Sequence, residues 1–131
     1  MTESVGEGFG GLNQIGQIAV PVTDVERAIR FYRDTLGMRF LFQAPPGLGF
    51  FDLSGVRLML DGPAKHRAGN GSVIYYKVPD LPAAFTTLSQ RGVDFEADPH
   101  LIAKMPDHDL WMAFFRDPDQ NLIALMCEVW H

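Results

Sequence analysis

The feature that most constrains this fold is an internal repeat, because one order of apolar segments occurs twice along the chain. VTDV at 22–25 aligns with VPDL at 78–81, and Ala28 aligns with Ala84 in the helical pattern that follows each segment. Two copies of about 60 residues are too long and too few for a solenoid. The repeat therefore predicts two halves that pack about a pseudo-twofold axis.

Each half has the local signals of a strand, a helix and several further strands. IGQIAVPV at 15–22 has the β-branched content of a strand, and Thr23 and Glu26 have capping-box spacing at the start of the next helix. Gly37 and Gly92 supply left-handed stops after the two helical patterns. Three strand patterns follow in the first half, and four follow in the second, namely VDFEA, HLIAKM, WMAFF and NLIALM.

These signals predict a single domain at residues 14–131 after a flexible tail at 1–13, which is rich in glycine and polar residues. Within the domain we expect module 1 at about 14–61, a linker at 62–71 and module 2 at about 72–129. A chain of 131 residues is close to the commonest size for one hydrophobic core.

The composition favours a cytoplasmic protein that binds neither nucleic acid nor membranes. The net charge of −5 argues against polyanionic partners. No apolar run approaches the roughly 20 residues that span a bilayer, and the N-terminus lacks the basic and apolar regions of a signal peptide. The single cysteine, Cys127, excludes an internal disulfide, and its apolar neighbours predict a buried side chain.

The segment PVTDVERAIRFYRDTLGM, the late turn FRDPDQN and the paired modules resemble the vicinal oxygen chelate superfamily. This superfamily includes glyoxalases, bleomycin-resistance proteins and extradiol dioxygenases. The resemblance covers about residues 14–129 and implies an α+β fold in which two βαβββ modules form a curled mixed sheet around a cup, with helices outside. It also implies a homodimer. Fold does not fix function.

Metal-dependent members of this superfamily carry a ligand at each of four strand positions in the cup. The resemblance places these positions on Gln17, on Leu58 or Met59, on Val73 and on Ala124. Divalent metals need several carboxylate or imidazole ligands, and a thioether is too soft for the ions this family uses. We therefore predict no metal and no other cofactor, with Gln17 a metal ligand only in an atypical site.

Polar candidates for the cup come from strand alternation and from one histidine. Alternation along SVIYYKV sends Val73, Tyr75 and Lys77 to one face. His100 begins a strand that borders the cup in this fold, and histidine serves as a general base near neutral pH. We therefore predict that His100, Tyr75 and Lys77 are the candidate catalytic residues, and that with Gln17 they also bind the ligand.

Aromatic residues on the neighbouring strands predict an apolar wall for the cup, and we take Trp111 and Phe51 as further ligand-binding candidates. His66 falls in the linker and His108 in a predicted exposed turn. Asp117 and Asp119 are expected to stabilise the late turn through side-chain bonds to the backbone.

Two functions from different classes remain open. The first is a metal-free, bleomycin-resistance-like protein that binds a small organic molecule in an aromatic cup. The second is a lyase, isomerase or dioxygenase of the same superfamily that uses an atypical site. A weaker third is an interaction module with a vestigial cup.

Overall fold

The computed structural model describes residues 9, 11, 13–63 and 72–131. Most of the predicted tail and of the predicted linker, including His66, lies outside these ranges. No helix within them is long and apolar enough to cross a membrane.

The two βαβββ modules implied by the family resemblance are confirmed. In module 1 the helix continues directly into a π-helical turn. The elements of module 1 are β1 (Gln17–Pro21), α1 (Val25–Arg30), the π-helical turn (Phe31–Thr35), β2 (Arg39–Ala44), β3 (Leu48–Leu53) and β4 (Val56–Asp61). The elements of module 2 are β5 (Ile74–Lys77), α2 (Leu81–Gln90), β6 (His100–Lys104), β7 (His108–Arg116) and β8 (Leu122–Trp130).

The two sheets have equivalent topologies, which confirms the repeat and the α+β class. The first sheet has the order β1-β4-β3-β2 and the second has the order β5-β8-β7-β6. In each module the first and last strands are parallel, and the other neighbours are antiparallel. The predicted strand VDFEA is wrong, because this segment makes only an isolated bridge between Phe95 and Phe115.

Both helices begin at an aspartate cap. The Asp24 side chain accepts a hydrogen bond from Arg27 N at 3.1 Å, and Asp80 accepts one from Ala83 N at 3.0 Å. The predicted cap at Thr23 is wrong, because the helix starts one residue later and Thr23 bonds to Asp119 instead.

One helical segment lies between the two sheets. The Tyr32 ring centroid is 6.1 Å from that of Phe51 in β3, while the Phe31 centroid is 6.5 Å from that of Phe115 in β7. The helix-covered sides of the two sheets therefore face each other across a shared core. We call the other side of each sheet, which faces away from this core and carries exposed side chains such as Phe42 and Tyr75, its open side.

The turn between β7 and β8 connects the modules through two buried carboxylates. Asp117 accepts hydrogen bonds from Asp119 N and Asn121 N, both at 2.8 Å, which confirms its predicted role in the turn. It also accepts one from the Tyr32 hydroxyl at 2.7 Å, and Asp119 accepts one from Thr23 N at 2.7 Å. These contacts to module 1 join residues far apart in the sequence.

Gln120, next in this turn, has a φ of 70°. A left-handed conformation at a residue with a Cβ costs about 1 kcal/mol. The backbone compensates, since Gln120 N donates to Asp117 O at 2.9 Å and Gln120 O accepts a bond from Arg116 Nη1 at 3.1 Å.

Candidate functional site

The open side of the first sheet presents an aromatic row beside a polar pair. Cross-strand partners align Ala19 with Met59, Met59 with Phe50 and Phe50 with Phe42, so these side chains share one face. Gln17 and Arg57 are partners in the adjacent row. We call this surface the module 1 face, defined by Gln17, Ala19, Phe42, Phe50, Arg57 and Met59.

The pairing register decides between the two candidates for the second metal position. Leu58 is fully buried in the shared core on the helix-covered side. Met59 lies on the module 1 face, where Gln17 Nε2 donates to Met59 Sδ at 3.8 Å. Met59 is therefore the residue of this pair that shares a face with Gln17.

The open side of the second sheet carries the predicted polar residues and one aromatic row. Tyr75 pairs with Ala124, which pairs with Phe114. In the next row Lys77 pairs with Met126, Met126 with Met112, and Met112 with His100. We call this surface the module 2 face, defined by Tyr75, Lys77, His100, Met112, Phe114, Ala124 and Met126.

The structure brings Tyr75 and His100 to the same aromatic ring. The Tyr75 and Phe114 centroids are 6.4 Å apart in an edge arrangement, and the His100 and Phe114 centroids are 6.2 Å apart. His100 Nδ1 is 3.2 Å from Asp98 O, and Lys77 Nζ is 3.8 Å from Glu128 Oε1. The alternation predicted for this strand is confirmed, and the catalytic roles of these residues stay predictions.

The neighbouring tyrosine, Tyr76, points to the core. Burial raises the pKa of Tyr76 to about 12, with a further contribution from the charge of Asp117. Burial also raises the pKa of Tyr32 well above its ordinary value. Both hydroxyls stay protonated near neutral pH, so neither is a base for chemistry at an open face.

Two aromatic residues predicted to bind ligand face the shared core and not the open sides of the sheets. Phe51 has 0% exposure in the core and packs against Tyr32 and Phe40. Trp111 pairs with Cys127 on the helix-covered side and packs against the same core. Because side chains alternate along a strand, Phe50 and Phe114 occupy the open faces instead.

His108 is the titratable residue that the sequence patterns placed wrongly. It begins β7 rather than lying in an exposed turn. The centroid of its ring is 4.5 Å from the centroid of the Trp130 ring. Its Nδ1 is 2.8 Å from Asp107 Oδ1, and its Nε2 is 3.9 Å from Glu128 Oε2. Asp107 and Asp109 are polar and flank His108, so the apolar pattern that predicts this strand does not extend back to His108.

The donor atoms at the four family positions do not form a metal centre. Gln17 and Met59 offer an amide and a thioether, while Val73 and Ala124 offer no side-chain donor. Across residues 13–63 and 72–131, no group of three or more His, Cys, Asp or Glu side chains could hold a metal ion.

The fold and its open faces define a small α+β protein of paired βαβββ modules. The chain belongs to the Glyoxalase/Bleomycin resistance protein/Dioxygenase superfamily, whose family model matches residues 14–125. A glyoxylase-like domain-containing protein from Didymella fabae is 31% identical over 127 residues, covering 86% of this chain and 91% of that protein. An uncharacterised protein, YraH, from Bacillus subtilis (strain 168) is 26% identical over 130 residues, covering 83% of this chain and 94% of its own.

Solved structures show the same fold. The antibiotic-binding protein TnmS3 from Streptomyces sp. CB03234 aligns with a TM-score of 0.72 at 24% identity, covering 90% of this chain and 98% of that one. A lactoylglutathione lyase from Agrobacterium tumefaciens aligns with a TM-score of 0.71 at 21% identity, covering 89% and 95%. At these identities the likeness is one of fold, and it leaves the activity open.

Proposed function

We propose that this protein binds a small organic molecule on its open aromatic faces without a catalytic metal. The observation that carries the proposal is the exposure of large aromatic side chains in the middle of strands. Tyr75 is 49% exposed and Phe42 is 45% exposed, each beside a second aromatic ring. Apolar surface with a few convergent polar groups is typical of small-molecule sites.

The donor set supports a metal-free site. Divalent ions of the kind this family uses need several carboxylate or imidazole ligands to compete with water. A thioether at Met59 is too soft for oxygen-seeking ions, and Val73 and Ala124 supply no donor atom. The function proposed here therefore uses the aromatic and polar side chains alone.

The directions of the open faces support a homodimer as the working form. In one chain the module 1 face and the module 2 face point away from each other, so a ligand on one face stays uncovered on its other side. A second copy would place its module 2 face over the module 1 face and close a cup. Pockets that bury most of a ligand's surface are usual for small-molecule sites.

Two structural neighbours fit two versions of this proposal. TnmS3 is described as antibiotic-binding, which fits sequestration without turnover. The second candidate is an enzyme with an atypical site, and it is favoured by His100 beside Phe114 and Tyr75 on the module 2 face. The lactoylglutathione lyase among the structural neighbours fits this candidate. Turnover that is lost in His100→Gln would favour the enzyme.

We propose a cytoplasmic location, without nucleic acid or membrane as partner. The net charge of −5 supports the lack of polyanionic partners. The buried free thiol of Cys127 supports a reducing compartment.

The proposal predicts saturable binding of the neutral aromatic probe N-phenyl-1-naphthylamine to chelator-treated protein. Replacing Tyr75 with alanine is expected to weaken this binding about fivefold or more, because an aromatic contact contributes about 1 kcal/mol beyond its area. The measurement is a fluorescence titration with the probe.

Val129→Ala is the matched control for this titration. Val129 is also 49% exposed, but it lies on the other side of β8 from the module 2 face. We expect its probe affinity to equal that of the wild type. Non-saturable binding, or equal affinity in the Tyr75 variant, would contradict the proposal.

A further inference from the structure

We propose that Arg57 on the module 1 face is an anchor for an anionic group, so that the ligand is an aromatic molecule with a carboxylate, phenolate or sulfonate. This inference rests on the proposed function and adds the chemical class of the ligand. It assigns the aromatic ring to Phe42 and Phe50 and the charge to Arg57.

The guanidinium of Arg57 is held over two rings. Its Cζ lies 5.4 Å from the Phe50 centroid and 5.9 Å from the Phe42 centroid. The two rings are themselves 4.7 Å apart and tilted by 36°. Cation–π contacts at these distances favour this position of the guanidinium. The cation therefore lies against an aromatic surface, although the residue itself remains exposed.

The guanidinium of Arg57 has no hydrogen-bond acceptor among the residues that the structure describes. Arginine has five N–H donors in a planar fork, and within the described ranges those of Arg57 meet no protein acceptor and no carboxylate. The cross-strand neighbour Asp52 is engaged elsewhere, since Oδ1 accepts a bond from Gly55 N at 3.2 Å and Oδ2 lies 3.7 Å from Arg39 Nη1. Two oxygens of a carboxylate or sulfonate can accept from this fork together, and a phenolate oxygen can accept from one of its N–H groups.

Gln17 adds a neutral polar group beside the cation. It is the cross-strand partner of Arg57, and its Nε2 is directed at Met59 Sδ. The amide oxygen of Gln17 has no donor within the described part of the chain. It can accept a hydrogen bond from a hydroxyl or amide group next to the anion. The face thus combines rings, one cation and one acceptor, which fits a substituted aromatic acid.

Two fluorescent probes with the same aromatic skeleton separate the charge from the ring. 1-Anilinonaphthalene-8-sulfonate carries a sulfonate, and N-phenyl-1-naphthylamine does not. We expect Arg57→Gln to weaken sulfonate-probe binding about 10- to 100-fold, as for the loss of a charge-assisted pair. The affinity of this variant for the neutral probe should stay within about twofold of the wild-type affinity. Arg57→Lys should restore part of the sulfonate affinity, since it keeps the charge but loses the fork.

Arg39→Gln is the matched control, because it removes one positive charge from the same cross-strand row. Arg39 is exposed and is paired with Asp52 rather than with the rings. We expect Arg39→Gln to change the affinity for either probe by less than about threefold. Thermal melts of all variants check that each remains folded.

The outcomes distinguish this inference from the function on which it rests. An unchanged sulfonate affinity in Arg57→Gln, or an equal loss in Arg39→Gln, overturns the anion anchor but leaves small-molecule binding intact. Equal losses for both probes in Arg57→Gln also overturn it, because the arginine would then act through packing alone. If neither probe binds saturably to the wild type, the proposed function fails and the anchor fails with it.

Discussion

Replacing Asp117 with alanine is expected to lower the free energy of unfolding by about 3 kcal/mol or more. Asp117 is buried and accepts hydrogen bonds from four donors, namely the Tyr32 hydroxyl, Asp119 N, Asn121 N and Asn121 Nδ2. The alanine variant removes the acceptor of the Tyr32 hydroxyl and of Asp119 N, while Asn121 Nδ2 keeps its bond to Pro21 O at 3.0 Å. Each buried group left unpaired costs about 1 to 3 kcal/mol. The variant also loses one hydrogen bond between the modules, because Tyr32 belongs to module 1.

Urea denaturation followed by circular dichroism measures this change. Asp34→Ala is the matched control, since Asp34 is an exposed carboxylate paired with the adjacent Arg33. We expect its effect to stay within about 0.5 kcal/mol. Tyr32→Phe removes one of the four bonds and should cost about 1 to 2 kcal/mol. If the Asp117→Ala variant were as stable as Asp34→Ala, the stabilising role of the Asp117 carboxylate would be contradicted.

The second large effect is expected at Phe51, where alanine should cost about 3 to 5 kcal/mol of stability. Phe51 has 0% exposure and packs between Tyr32 and Phe40, so truncation leaves a cavity in the shared core. Phe42→Ala is the matched variant on the same sheet. It should change the free energy of unfolding by less than about 1 kcal/mol, because the ring is 45% exposed.

The two phenylalanine variants should have opposite signatures in binding. At a temperature where both are folded, Phe42→Ala should weaken binding of N-phenyl-1-naphthylamine, while Phe51→Ala should retain it. Denaturation curves and probe titrations on the same preparations measure both quantities. A stable Phe51→Ala with weakened binding would contradict the assignment of Phe51 to the core and of Phe42 to the open face.

The element order was predictable because its signals are local. The periodicities of strands and helices and the stops at Gly37 and Gly92 are properties of neighbouring residues. The repeat adds that one local order occurs twice. The same holds for Tyr75 and Lys77, whose shared face follows from alternation within one strand. The first helix start was misplaced, because Asp24 rather than Thr23 supplies the cap. The predicted strand VDFEA was also wrong, since it makes only an isolated bridge.

The choice of face was less predictable, because it depends on pairing between strands. Phe50 and Phe51 are adjacent aromatics, and only the register with β4 sends Phe50 to the open side and Phe51 to the core. A one-residue shift exchanges the two faces of a strand. The choice between Leu58 and Met59 depends on the same register.

Contacts across the modules lay beyond sequence patterns altogether. Asp119 accepts a bond from Thr23 N, and the sequence separation of the two residues is 96. In the sequence Asp119 is only one polar residue of a turn, and bonds within the turn explain its presence equally well. The cation over two rings at Arg57 likewise requires three strands to be in register.

The most direct test of a metal-free site is elemental analysis of tag-free protein. The protein would be purified without chelator, challenged with Mn²⁺, Ni²⁺, Zn²⁺ and Fe²⁺, and then dialysed. We predict no stoichiometric metal under any of these conditions, because Gln17, Met59, Val73 and Ala124 supply too few donors. One dialysis-resistant equivalent per chain that is lost in Gln17→Ala would contradict this account and would establish an atypical metal site.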